Sequence, residues 1–266
     1  MNSITSVNSN AVSGVPLQRA NTGITQSLEK LSSGSRINRA ADDAAGLQIA
    51  SQLASQILGS DRARANLNDA VSLVQTAEGA LGQLQSNVGR IRELSVAAAN
   101  STLSAQDRQA LAAEAEQLAQ SNDDIVRTAE FNGQPLFQGN SGFNFQTGPN
   151  AGDQISFSLP NQSASSGLDF SSAAAASASL TSLDQTLSSI ADSRAQLGAV
   201  SSRFSAQINA LQTSSENLAA SRSRIADTDY ASATSQLVQQ QISQQAALAV
   251  QTQANALPSV TLSLLR

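Results

Sequence analysis

Three acidic groups carry oxygen donors that a hard cation could take: Asp42-Asp43, Asp123-Asp124 and Asp227-x-Asp229. None follows the spacing of an EF-hand loop, so they are read as turn and cap residues. Serine is abundant, but the chain has no His and no Cys. That removes the commonest general base, Ser-His and cysteine nucleophiles, and the usual zinc ligands. A Ser-Lys pair would have to use Lys30, the sole lysine, which stands in a helical pattern at EKLSSG. No catalytic, metal or cofactor-binding set emerges, and the chain is read as a non-enzyme.

The 266 residues are 40% hydrophobic but only 3% aromatic. A compact core of this size uses more bulky side chains. Ala, Ser and Gln dominate instead, and Ala favours helix and lets helices approach closely. The net charge is -5, and there is no block of Lys or Arg. Nucleic acid is therefore not an expected partner. No apolar run reaches the roughly 20 residues of a membrane span, so no membrane insertion is expected. The N-terminal MNSITSVNSNAVSG has neither the basic nor the apolar region of a Sec signal peptide.

Proline divides the chain. It is absent between Leu17 and Gln134 and between Asn161 and Leu257. Each prolyl residue inside a helix costs about 3 kcal/mol, so both tracts can be helical throughout. Within the first, Ala63, Leu67, Ala70, Val74, Ala77, Leu81, Leu84, Val88, Ile91, Ser95 and Ala98 alternate spacings of four and three. That repeat keeps one stripe facing a partner helix. A helix from Ala44 to about Asn100 would be roughly 85 Å long, so the expected fold is an elongated, mainly α rod of coiled-coil-like helices. A second stripe runs Leu111, Ala115, Leu118, Asn122, Ile125, Ala129. A third runs from Leu180 through Leu183, Leu187, Ile190, Leu197, Phe204 and Leu211 to Ile225. Ser104 or Asp107 is the expected N-cap of the second helix.

Between the helical tracts, Phe143 and Phe145 alternate with polar residues, as do Ile155, Phe157 and Leu159. With the turn-rich QTGPNAGDQ between them, this predicts a small central β-hairpin. Asn161 to Ala178 reads as a loose connection. The expected domains are a terminal helical one, 1–43 plus 229–266, and a helical bundle, 44–228, with the hairpin insert at about 131–178 and no large outer domain.

The two ends carry only thin stripes: Leu17, Ala20, Ile24, Leu28 and Leu31, then Val238, Ile242, Ala246, Ala249 and Leu257. Alone they bury too little to offset the entropy of ordering. They can fold by pairing with each other or with copies from neighbours.

LSSGSRINRAADDAAGLQIA (31–50) resembles the N-terminal signature of bacterial flagellins. The resemblance continues through ANLNDAVSLVQTAEGAL (65–81), RIRELSVAAAN (90–100) and EFNGQPL (130–136). It returns at SSENLAASRSRIADTD (214–229) and ANALPSVTLSLLR (254–266). It implies a structural subunit that polymerises into the flagellar filament used for motility. Its terminal helices would pair in the filament core, so Leu17, Ile24, Leu28, Leu31, Val238, Ile242 and Leu257 are the expected assembly residues.

The resemblance further implies extracellular location after export without a cleaved Sec signal. Implied partners are further copies of the chain, an export chaperone, the filament cap and hook-junction proteins, and a host Toll-like receptor. Arg90, Leu94 and Glu114 match the positions for receptor recognition. Arg90 and Leu94 lie outside the stripe at Val88, Ile91 and Ser95, so both are expected to be partly exposed or to face other subunits. Some members carry a metallopeptidase in the insert; that chemistry needs an HExxH helix, and this chain has no His. Serines and threonines of 162–189 could accept glycans.

Between the two expected domains, Arg36 and Arg39 could meet Asp227 or Asp229, and Asp42 and Asp43 would favour the positive end of the long helix. Two other readings remain, a hook-filament junction protein and a monomeric secreted helical binding module. Removing residues before about Ala44 and after about Asp229 should leave a soluble helical protein that forms no filaments under electron microscopy. Filaments from the trimmed chain would refute assembly through the ends.

Overall fold

A computed structural model describes residues 2–138, 141–162 and 167–264. It is mainly helical: α1 (Asn2–Ser33), α2 (Ala44–Ala98), α3 (Ala105–Thr128), α4 (Ala173–Ala226) and α5 (Tyr230–Leu264). Among the described residues, four short strands lie between α3 and α4: β1 (Glu130–Phe131), β2 (Gln134–Pro135), β3 (Ser141–Gln146) and β4 (Gln154–Leu159). β1 pairs with β2 and β3 with β4, both antiparallel. Contacts divide the chain into two compact units, Met1–Ser55 with Asn217–Arg266, and Gln56–Glu216.

In the second unit, all eleven positions of the α2 stripe from Ala63 to Ala98 are buried. From α4, Leu183, Ile190, Leu197, Phe204 and Leu211 join the same core. Asn87 and Leu94 of α2, in a column outside that stripe, are buried as well, because α2 has a second neighbour. Asn87 Nδ2 donates to Asn122 Oδ1 of α3 at 2.9 Å, deep in the core. A helix flanked on two sides buries a wider stripe than the seam of a two-helix coil.

The expected hairpin is β3–β4, with Phe143 opposite Phe157 and Phe145 opposite Ile155. Phe145 and Phe157 meet Phe204 edge-on, at ring separations of 5.9 and 6.1 Å. The sheet's aromatic face thus closes on α4. Two local differences from the sequence reading stand out. Residues 173–178, read as loose connection, form the first turns of α4. They are Ala-rich, and Ser172 caps them through the Ala175 N–H at 3.1 Å. The insert also holds a second, shorter hairpin, β1–β2. Its signal is Asn132-Gly133, with φ of 52° and 76°, the pair that a two-residue type I′ turn requires. The N-cap of α3 is Ser104, with Asp107 completing a reciprocal capping box.

Leu81 is fully buried in this unit, whereas Leu58 is 67% exposed on the same helix. Leu81→Ala should destabilise the protein by about 2–5 kcal/mol in urea unfolding. Leu58→Ala should change stability by less than about 0.5 kcal/mol.

Candidate functional site

In the first unit, α1 and α5 run antiparallel and their backbones come close enough to bring Cα atoms within 8 Å. The inward positions of α5 are Ala233, Leu237, Gln240, Gln244, Ala247, Gln251 and Ala254, spaced four and three in alternation. Those of α1 are Leu17, Ala20, Ile24, Ser27 and Leu31. This seam is narrow and half polar. Ser27 Oγ donates to Gln240 Oε1 at 3.1 Å, and Gln244 Nε2 donates to Asn21 Oδ1 at 2.7 Å. At Gly23 a Cβ would stand 2.8 Å from the Gln240 side chain. The end of the Gln240 side chain thus occupies the space left open by Gly23.

The apolar side chains of α5 lie elsewhere. Val238 is 53% exposed, Ile242 61% and Val250 62%, and Leu248 is exposed too. On α1, Leu28 and Val15 also face water. Of the seven residues expected at the assembly core, Leu17, Ile24 and Leu31 are half-buried in the α1–α5 seam, while Leu28, Val238 and Ile242 point out of it. Leu257 lies outside the residues whose side chains are described. A stripe drawn through Val238 and Ile242 follows hydrophobicity; the helix pair follows size and hydrogen bonding.

The segment between α1 and α2 is stitched to the one between α4 and α5. Arg36 N donates to Ala226 O at 2.7 Å, and Thr228 N donates to Gly34 O at 2.9 Å. Gly34 has a φ of 70°, a left-handed position after the last turn of α1 that suits glycine. Tyr230 Oη donates to Leu31 O at 3.0 Å.

The expected pairing of Arg36 and Arg39 with Asp227 or Asp229 is not what the structure shows. Arg36 donates through Nη2 and Nε to Ile225 O, at 2.6 and 3.2 Å. It satisfies a carbonyl in the last turn of α4, which has no partner within the helix. Arg39 is paired with Glu29 at 2.9 Å. Asp229 accepts the Ala231 and Ser232 N–H groups and caps α5, while Asp227 bridges to Ser35 through its backbone. Asp43 accepts the Gly46 N–H at 2.8 Å and caps α2. Helix termini outcompete exposed ion pairs because free backbone groups cost more to leave unmade than exposed charges do. Asp42 accepts the Arg39 and Asn38 N–H groups, and those two bonds hold its carboxyl below the usual carboxylate range.

Arg90 and Glu114 join α2 to α3 through a 2.8 Å ion pair, and Arg90 also meets Glu93 at 3.0 Å. Both residues of the α2–α3 pair are about half exposed. Leu94 departs from expectation: it is buried at 3% exposure, in the column that faces α3. The two-helix heptad left it outside the stripe, and the third helix covers it.

Residues 6–142 match the bacterial flagellin N-terminal helical region, and residues 180–265 match the flagellin C-terminal helical region. The chain belongs to the bacterial flagellin family. It is 39% identical over 248 residues to a flagellin of Halalkalibacterium halodurans, covering 91% of each chain. It is 37% identical to a flagellin of Bacillus subtilis, covering 94% of this chain and 95% of that one. The solved flagellin of Bacillus cereus superposes with a TM-score of 0.52 at 28% identity, over 55% of this chain and 88% of its own. A putative flagellar hook-associated protein from Vibrio parahaemolyticus shares the fold at a TM-score of 0.60 and 14% identity, over 70% of this chain and all of its own.

Asp42's bonds to the Arg39 and Asn38 amides contribute fully above the carboxyl's unfolded-state pKa and are lost as pH falls through its lowered folded-state value. The protection of the residue 38 and 39 amides, taken relative to their intrinsic exchange rates at each pH, should therefore fall in strongly acid solution. Asp42→Asn should lower that protection at neutral pH and flatten its pH dependence.

Proposed function

We propose that the chain polymerises into a helical homopolymer, the flagellar filament, and that neighbouring copies cover the outward apolar faces of α1 and α5. The family is that of the filament's structural subunit. The observation that carries the assembly reading is the placing of Val238, Ile242, Leu248 and Val250 on the exposed side of a helix whose inward side is largely Gln and Ala. Fully burying such a side chain is worth about 1.5–3 kcal/mol. One chain cannot recover that energy through its own α1–α5 seam; several chains stacked together can. The terminal helices then order on assembly, at the cost that coupled folding carries.

The other partners are proposed on the resemblance. Export proceeds without a cleaved Sec signal, through the flagellar secretion route, with a chaperone engaging the chain before assembly. Growth takes place beneath a cap protein, from a base of hook-junction proteins. A Toll-like receptor would meet Arg90 and Glu114, the two matched residues with open surface, while Leu94 acts by packing beneath them. The long α2 and α4 seams suit switching between two packings, since packed interfaces are bistable rather than continuously deformable.

A chain carrying Val238→Ser and Ile242→Ser should keep the monomer's helical circular dichroism. Its critical concentration for polymerisation should rise at least about tenfold. Sedimentation and electron microscopy of the full-length chain provide the readout. Unchanged polymerisation would refute the assigned face. A wild-type chain that stays monomeric at every concentration would refute the polymer itself and favour a binding module. Short assemblies that never elongate would favour a junction protein.

A further inference from the structure

Asn132-Gly133 is the sole Asn-Gly step in the sequence, and it is the whole of the turn between β1 and β2. Both residues are exposed, and both have positive φ. We propose that Asn132 is a site of non-enzymatic deamidation and that the folded turn sets its rate.

The chemistry needs only solvent. The Gly133 amide nitrogen loses its proton to hydroxide and attacks Asn132 Cγ. A C–N bond forms, the bond from Cγ to the side-chain nitrogen breaks, and ammonia leaves. The product is a five-membered succinimide. Water then opens it at either carbonyl, giving aspartate or isoaspartate. Nothing is oxidised or reduced; the sum is one water consumed and one ammonia released. Glycine is the most permissive neighbour because no side chain crowds the attacking nitrogen.

The turn works against this step. Ring closure needs the Gly133 nitrogen on the same side of the Asn132 Cα–C bond as Cβ. A type I′ turn, which the paired positive φ values define, holds that nitrogen on the far side. The strands hold the turn shut: Phe131 pairs with Gln134, and Leu136 N donates to Ala129 O at 3.0 Å. Immediately beyond β2, Leu136 and Phe137 are wholly buried. Reaction therefore waits for the hairpin to open.

The two products differ in consequence. Aspartate fits the same turn, since Asp-Gly also favours type I′. Isoaspartate routes the main chain through the side-chain carbon, adds a methylene to the turn and breaks its pairing with Leu136 and Phe137 still anchored. Asn132 is thus a slow chemical clock that loosens the junction between α3 and the β3–β4 hairpin.

The test is to incubate the full-length chain at alkaline pH, natively and in urea, and to follow each Asn by peptide mapping with isoaspartate detection. In urea, Asn132 should convert faster than any other Asn, including Asn100 and Asn140, which precede serine. Gly133→Ala should slow it there. In native buffer the wild-type rate should fall at least about tenfold, following the open population of the hairpin. Leu136→Ala should raise the native rate and leave the urea rate unchanged. Another asparagine converting first in urea would overturn the site. Equal native and urea rates would overturn the control by the turn.

Discussion

Leu67, Leu81 and Ile91 are shut away from water, while Val238 and Ile242, on another long helix of the same chain, keep more than half of their surface exposed. Burial of apolar area is the dominant favourable term in folding, and this chain divides it unevenly. The unit built on α2, α3, α4 and the β3–β4 hairpin satisfies its apolar stripes internally. The unit built on α1 and α5 does not. The chain thus buries the apolar stripes of one part and leaves apolar side chains of the other exposed.

The α1–α5 pair shows how this division is reached without loss of order in the seam. Small residues and glutamine let the helices approach closely, and Ser27–Gln240 and Asn21–Gln244 fix their register. Hydrogen bonds of this kind contribute about 0.5–1.5 kcal/mol each, enough to choose one alignment and too little to replace a core. Beside the seam, polar side chains are spent on helix ends: Arg36 on α4, Asp43 on α2 and Asp229 on α5. The connections between helices thus become hydrogen-bonded structures of their own.

The long helices were legible because their signal is periodic and repeated. Every member of the α2 stripe from Ala63 to Ala98 is buried. The β3–β4 hairpin was legible because Phe143, Phe145 and Phe157 alternate with polar residues. Leu94 and Asn87 were not, since a heptad describes two helices and α2 has more than one neighbour. The roles of Arg36 and Arg39 were not legible either. Charge suggests opposite charge, but the groups most in need of a partner were backbone carbonyls and amides at helix ends.

From the sequence alone came the helical class, the length of α2, the hairpin and the family, because each is written in local pattern or in long runs of residues. The tertiary structure decided which side of each helix faces which neighbour. At Ser27, Leu28, Gln240 and Ile242 hydrophobicity and burial run in opposite directions. Distance of approach and hydrogen bonding set the inner face there, and those are properties of two helices together rather than of either one.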